Sequence, residues 1–184
     1  MRISREQARE NRERVVETAS ALFRERGFDG VAVVDLMRAA GFTHGGFYNH
    51  FATKEALAAE ALTRAFDDMA AVRSQAAGLP EMLPGYLSEA ARRAPGKTCP
   101  AAALAGDAAR QPAPVRAAFA DGVEGMIDSF AAQIGGPDAR ERAVVLLAKM
   151  VGGLMLARSV PDDHPLADEL LRATLESCLA DVAR

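Results

Sequence analysis

The chain is predicted to be all-helical, and three features of its 184 residues carry that expectation. Apolar residues recur at three- and four-residue steps, aromatics are scarce at 5% with no Trp and two Tyr, and Gly/Pro breakers cut the chain into helix-sized segments. Little in it is β-branched or aromatic enough to line a sheet. A hydrophobic content of 49% is ample for a sizeable core.

Taken in order, Ser4 and Gln7 have the spacing of a capping box, and Val15, Ala19, Leu22 and Phe23 then form an apolar stripe. The first helix is expected over residues 4–26, closed by Gly27 as a left-handed cap. Two short helices follow, from Val33 to Ala40 and from Thr43 to His50, with Gly41 making the turn between them. Thr53 caps a long helix carrying Leu57, Ala61, Phe66 and Met69. Met82, Leu83, Tyr86 and Leu87 keep the helical period, as do Val115, Phe119, Val123, Met126, Phe130 and Ile134. Residues 138–159 are apolar nearly all round, through Val144, Val145, Leu146, Leu147, Met150, Val151, Leu154, Met155 and Leu156, and are expected to be buried all round. The last segment, with Leu166, Leu170, Leu171, Leu175, Cys178, Leu179 and Val182, has a stripe broader than a lone terminal helix covers. The two segments together predict a homodimer interface with Leu154 in it; a monomeric helical core is the alternative.

Charge narrows the function classes only a little. The net charge is −3, residues 1–60 hold nine basic and nine acidic groups, and the acidity therefore lies in the remainder. The first residues lack the apolar run of a signal peptide, and the longest apolar stretch, Ala143 to Ala157, is short and broken by Lys149. No membrane association and a cytoplasmic location are expected. Cys99 and Cys178 are too few for a disulfide framework and form no metal-finger pattern. His44 and His50, six residues apart, do not share a helical face for a metal, so neither metal nor cofactor is expected. With no Ser-His-Asp pattern and no phosphate-binding Gly loop, an enzyme is not expected either.

The segment from Val33 to Phe51 reads as a helix, a tight turn at Gly41 and a second short helix capped by Thr43. Leu36, Ala40, Phe47 and Phe51 have the spacing to face inward, which turns Thr43, His44, Gly45, Tyr48 and Asn49 outward. Such an outward face of small and hydrogen-bonding groups suits a major groove, whereas a generic short-helix pair is an ordinary hairpin. Here Gly27-Phe28-Asp29-Gly30, then Ala39-Ala40-Gly41-Phe42-Thr43-His44-Gly45-Gly46-Phe47-Tyr48-Asn49-His50-Phe51, then Thr53-Lys54-Glu55-Ala56-Leu57 closely resemble the TetR family of repressors. The resemblance is specific across residues 10 to 60 or so.

It implies a homodimer of about nine helices per chain, with a helix-turn-helix DNA-binding domain over residues 1–52 and a ligand-sensing, dimerising domain over residues 53–184. It also implies a one-component transcriptional regulator, by the family's usual mode a repressor, whose small-molecule effector spreads two readers and releases a palindromic double-stranded operator. Carried over by position, Thr43, His44, Gly45 and Asn49 lie where family members meet bases, and Tyr48, His50 and Lys54 where they meet phosphates. Two departures stand out. Val31 and Ala32 occupy the place of a usual Ser or Thr before the second helix, and His44 stands where a basic residue is common. Arg2, Arg5, Arg9 and Arg12 form a basic stripe suited to a DNA backbone, or, with Glu6, Glu10, Glu13 and Glu17 beside it, a solvated face of ion pairs.

Cys99 precedes Pro100, which makes it the N-cap of a helix expected to end near Gln111. A thiol there is either a sensor of oxidants or electrophiles or a small packing residue. The resemblance implies an apolar effector pocket, with Phe66, Met69, Tyr86, Cys99, Phe119, Met126, Phe130 and Met150 as its candidate lining; by period alone those residues are core. A ligand-independent, architectural DNA-binding dimer is the rival reading, favoured by a bundle without a cavity.

Overall fold

A computed structural model describes residues 4–183 and is helical throughout, with no strand among them. Nine α-helices are interspersed with two short 3-10 segments: α1 Arg5–Arg26, α2 Val33–Ala39, a 3-10 segment His44–Asn49, α3 Lys54–Arg73, α4 Leu79–Tyr86, α5 Glu89–Arg93, a 3-10 turn Pro95–Lys97, α6 Pro100–Ala108, α7 Ala113–Ile134, α8 Ala139–Arg158 and α9 Leu166–Val182. No helix among the described residues is long and apolar enough to cross a membrane.

Local chemistry sets the boundaries. Ser4 caps α1 by accepting the Gln7 amide at 3.1 Å, but the return arm of a capping box does not form, because the Gln7 side chain donates to Glu10 and Asn11 instead. Gly27 ends α1 at φ +73° with an extended ψ of 166°, so it turns the chain without adopting the left-handed helical cap expected. Thr53 caps α3 through its hydroxyl, 3.1 Å from the Ala56 amide. α6 stops at Ala108, short of Gln111, because the Arg110 and Gln111 amides close turns on Asp107 and Ala108.

One continuous apolar cluster runs from Val15 in α1 to Cys178 in α9. α3 lies at its centre, packed on α1 along one side and on α7 along the other, and α7, α8 and α9 then pack in sequence. The α3–α7 contact is close enough to demand a glycine. Phe66 meets Phe119 edge to face at 5.9 Å, and its ring lies where a side chain at Gly122 would stand.

α8 departs from the expectation that it is buried all round. Ala143, Leu146, Leu147, Met150, Leu154 and Ala157 are buried, but Val144, Val145 and Leu156 are 44%, 47% and 57% exposed. Leu154 is wholly buried inside its own chain, so it belongs to this core and not to a surface that a second copy can reach. The helical period gives which residues are apolar; it does not say which of two neighbours covers them.

Gly122→Ala is expected to destabilise the fold. Overpacking against a buried ring costs about 1–3 kcal/mol, more than the roughly 1 kcal/mol that Ala gains over Gly inside a helix. Urea titration checks this as a lower midpoint at unchanged slope, and an unchanged or raised midpoint contradicts it.

Candidate nucleic-acid interface and cavity

The segment after α2 is held from below by its aromatic residues. Gly41 takes φ +85°, which lets the Phe42 amide reach the Met37 carbonyl at 2.8 Å. Phe47 and Phe51 are buried with ring centroids 5.7 Å apart. The Arg12 guanidinium lies 4.6 Å from the centre of the Phe51 ring and forks onto both oxygens of Glu60, tying α1 to α3 beneath the segment. Tightened into a 3-10 helix rather than an α-helix, His44–Asn49 starts at Thr43, whose hydroxyl makes no cap bond.

On this base Thr43, His44, Gly45, Tyr48 and Asn49 are all exposed, as the spacing predicts, and His50 is half-buried. Tyr48, 69% exposed, is braced edge-on against Phe47 at 5.2 Å and against His44 at 6.3 Å, so its hydroxyl projects from a fixed ring. Lys54 is the first residue of α3, half-buried beside the same face. Ala32 stands at the N-cap of α2 with no side-chain cap, while Asp35 in the first turn pairs with Arg38 at 3.1 Å. Of the basic stripe, Arg2 lies outside the described residues, Arg9 pairs with Glu6 and Glu13, and Arg12 is turned inward onto Glu60. The ion-pair reading therefore fits Arg9, and Arg12 is structural.

A cavity of about 470 Å³ opens between the end of α3, α4 and the start of α6. Met69, Tyr86, Cys99 and Met126, four of the eight candidate lining residues, line it. The other four expected lining residues do not. Phe66 and Phe119 pack on each other, and Phe130 and Met150 are fully buried core, which is the ordinary fate of large apolar residues at helical spacing. The lining also includes Val72, Arg73, Glu81, Met82, Lys97 and Thr98, none of them anticipated. Arg73 was legible: Phe66, Met69 and Arg73 follow at steps of three and four, placing a cation on an otherwise apolar stripe of α3.

The electrostatics of the cavity are unusual for an apolar site. The Tyr86 hydroxyl and the Arg73 Nε are buried without a hydrogen-bond partner, and so is Nη1 of Arg158 just behind the wall. Burial raises the Tyr86 phenol well above its ordinary value, the Cys99 thiol adding to the effect and Arg158 and Arg73 opposing it. Burial likewise lowers Arg73 and Arg158. Cys99 occupies the N-cap position of α6 with Pro100 behind it, yet its thiol makes no cap bond and points to the Met126 sulfur at 4.0 Å. Cys178 is a buried packing thiol, pushed up to about 11 by burial.

The cavity wall touches the end of α1 directly. Thr98 is held from two sides, its carbonyl accepting from Arg24 of α1 at 2.8 Å and its hydroxyl accepting from Arg158 of α8 at 2.5 Å. Gly96 packs so closely on Glu25 that a Cβ there would stand 2.5 Å from Oε1. Further along, Asp107 of α6 accepts the buried Phe28 amide at 3.0 Å and lies against Gly27, leaving no room for a side chain at that turn. Among the described residues no cluster of His, Cys, Asp and Glu has the arrangement of a metal site.

Residues 15–61 match the model of the tetR family of bacterial regulatory proteins. The HTH-type transcriptional repressor DhaR of Mycobacterium sp. strain GP1 is 43% identical over 58 residues, a stretch covering 32% of this chain and 29% of that protein. Over nearly the whole length, a crystal structure of a TetR transcriptional regulator from Chloroflexus aurantiacus superposes with a TM-score of 0.80 at 25% identity, covering 97% of each chain. The reduced form of E. coli NemR shares the fold at a TM-score of 0.73 and 21% identity, covering 92% of this chain and 95% of that one.

Asp107→Ala is expected to lower stability by about 1–3 kcal/mol, because it strands the Phe28 amide without a partner inside the fold. Asp107→Asn, which keeps an acceptor oxygen, should recover most of the loss. Chemical denaturation of the two variants side by side checks this, and equal losses would assign the effect to charge alone.

Proposed function

We propose, from the premise that the chain belongs to the tetR family of bacterial regulatory proteins and is a transcriptional regulator, not an enzyme, that it works as a homodimeric repressor released from its operator by a small molecule. The observation that carries this reading is the exposed face of the His44–Asn49 segment with Thr43 ahead of it, set on a buried aromatic base. Thr43, His44, Gly45 and Asn49 read base edges in the major groove; Tyr48, His50 and Lys54 meet phosphates. Residues 1–52 serve as the reader and residues 53–184 as the sensing and dimerising part. The protein acts in the cytoplasm on a palindromic operator whose half-sites lie about 34–36 Å apart or somewhat more.

Dimerisation supplies the second half-site. Val145, Gly152 and Leu156 share the face of α8 that carries Lys149, which bonds Asp181 of α9 at 2.6 Å, so the exposed Val145 and Leu156 run alongside α9. A second copy laid on these two helices covers Val145 and Leu156. The signal enters at the cavity, whose size lies within the roughly 300–1,000 Å³ of small-molecule sites. That volume favours a ligand-responsive regulator over an architectural DNA-binding dimer. An occupant that shifts Thr98 acts on Arg24, and a shift of α6 acts on Asp107 and the Gly27 turn, so both routes end at the helix that supports the reader. An oxidant or electrophile is a second kind of input, because Cys99 is among the residues that line the same space.

Asn49→Ala should cost about 1–3 kcal/mol on the preferred duplex and little on random DNA, whereas Lys54→Ala should weaken all sequences alike and lower the salt slope by about two units per dimer. Titrating both variants on specific and random duplexes at several salt concentrations decides between base reading and backbone contact. A wild-type protein with no sequence preference would remove the regulator mechanism.

For the dimer, Leu156→Glu should yield a folded monomer that has lost operator affinity, while Leu154→Glu, inside the core, should disrupt the fold itself. Sedimentation together with circular dichroism separates the two outcomes. A wild type that sediments as a monomer at micromolar concentration, or a Leu156→Glu dimer, contradicts the proposed interface.

A further inference from the structure

We infer that the cavity takes an amphipathic organic anion, a molecule with one carboxylate head and an apolar body. The inference rests on the reading of this cavity as the effector site and names the chemistry of its ligand.

Cation and anion are unequally provided in the lining. Arg73 and Lys97 contribute two positive charges, and neither makes an ion pair among the described residues. Arg158, behind the wall, is bonded among the described residues to the Ala91 and Arg92 carbonyls and the Thr98 hydroxyl, with no carboxylate. The single lining acid, Glu81, is exposed, and its Oε2 already accepts the Ala77 amide at 2.5 Å. Arg73 is half-buried with its Nε fully so, and a guanidinium that gives up part of its hydration without a carboxylate in exchange favours an anion at that place. Burial depresses Arg73 in keeping with that cost. An anion entering the cavity supplies the missing counter-charge.

The remaining polar atoms fit one head group. The Tyr86 hydroxyl is buried with only the Cys99 thiol, a weak acceptor, beside it, and burial keeps it protonated, so it is able to donate to a carboxylate, a stronger acceptor, and does not repel it. Arg73 Nε is the second free donor. Beyond them the walls are Met69, Val72, Met82 and Met126, apolar and, through the methionines, able to adapt to the shape of a chain or ring. Lys97, exposed at the rim, favours approach of an anion and disfavours a cation of the same shape.

Octanoate, octanol and octylamine share one apolar chain and differ in the charge of the head, so calorimetric titration of the full-length protein with the three reads the preference directly. Octanoate should bind about tenfold tighter than octanol or better, with octylamine weakest. In Arg73→Met, octanoate should fall to the level of octanol while octanol itself is unchanged, which also reports that the cavity is intact. Tyr86→Phe should weaken octanoate more than octanol, and it decides the matter if Arg73→Met binds neither. Equal binding of octanoate and octanol to the wild type, no binding of any of the three, or a preference for octanoate that survives both variants overturns the proposal. Parallel titration of an operator duplex separates the two readings. Octanoate that binds by charge without loosening DNA leaves the anion site standing and removes its role as effector site, whereas sequence-specific DNA binding without any charge preference removes the anion inference alone.

Discussion

Both ends of the protein depend on the packing of α3 between α1 and α7. Six of its residues, Leu57, Ala58, Ala61, Leu62, Ala65 and Phe66, are buried, and they serve two neighbours along one helix. Near its start, Glu60 receives Arg12 from α1, and the helix begins at Thr53 and Lys54 beside the exposed His44–Asn49 face. Near its end, Phe66 presses on Gly122 of α7, and Met69 and Arg73 face the cavity. A helix of 20 residues spans about 30 Å, so a single rigid element separates the proposed reader from the proposed sensor by that distance. A change in how α3 packs cannot be confined to one of its ends.

The fold was largely legible because its determinants are local. Ser4, Thr53 and Gly41 place helix starts and a turn through chemistry within a few residues of themselves, and the alternation of buried and exposed residues from Leu36 to Phe51 follows from period alone. What local pattern could not resolve was who covers an apolar residue. Leu154 and Leu156 are equally apolar and two positions apart, yet one is buried by its own chain and the other is open. The cavity was half legible for the same reason. Period places Phe66, Phe119, Phe130 and Met150 inside, but whether an inside residue touches a neighbour or a void depends on how helices from distant parts of the chain meet. The informative signal is Arg73, a charge on an apolar stripe, where the local pattern and the global packing disagree. Such disagreements tend to mark functional sites.

The proposed coupling between cavity and reader can be judged by magnitude. An effector that changes operator affinity 5- to 150-fold needs only about 1–3 kcal/mol of differential interaction between two states. Hydrogen bonds to charged groups contribute about 1.5–3 kcal/mol each. The contact of Arg24 with the Thr98 carbonyl and that of Asp107 with the Phe28 amide are both of this kind, and both run between the cavity side of the molecule and the end of α1. Loss or strengthening of either one therefore suffices, with no need for wholesale repacking of the apolar cluster. The arrangement around Thr98 adds a direction. Its carbonyl faces Arg24 and its hydroxyl faces Arg158, so a ligand that draws on the positive charge of the cavity competes for the same short segment that holds α1. Arg73, half-buried and without an ion-pair partner among the described residues, is the charge that the proposed anion satisfies, so the proposed binding and the proposed shift at Thr98 share one electrostatic origin.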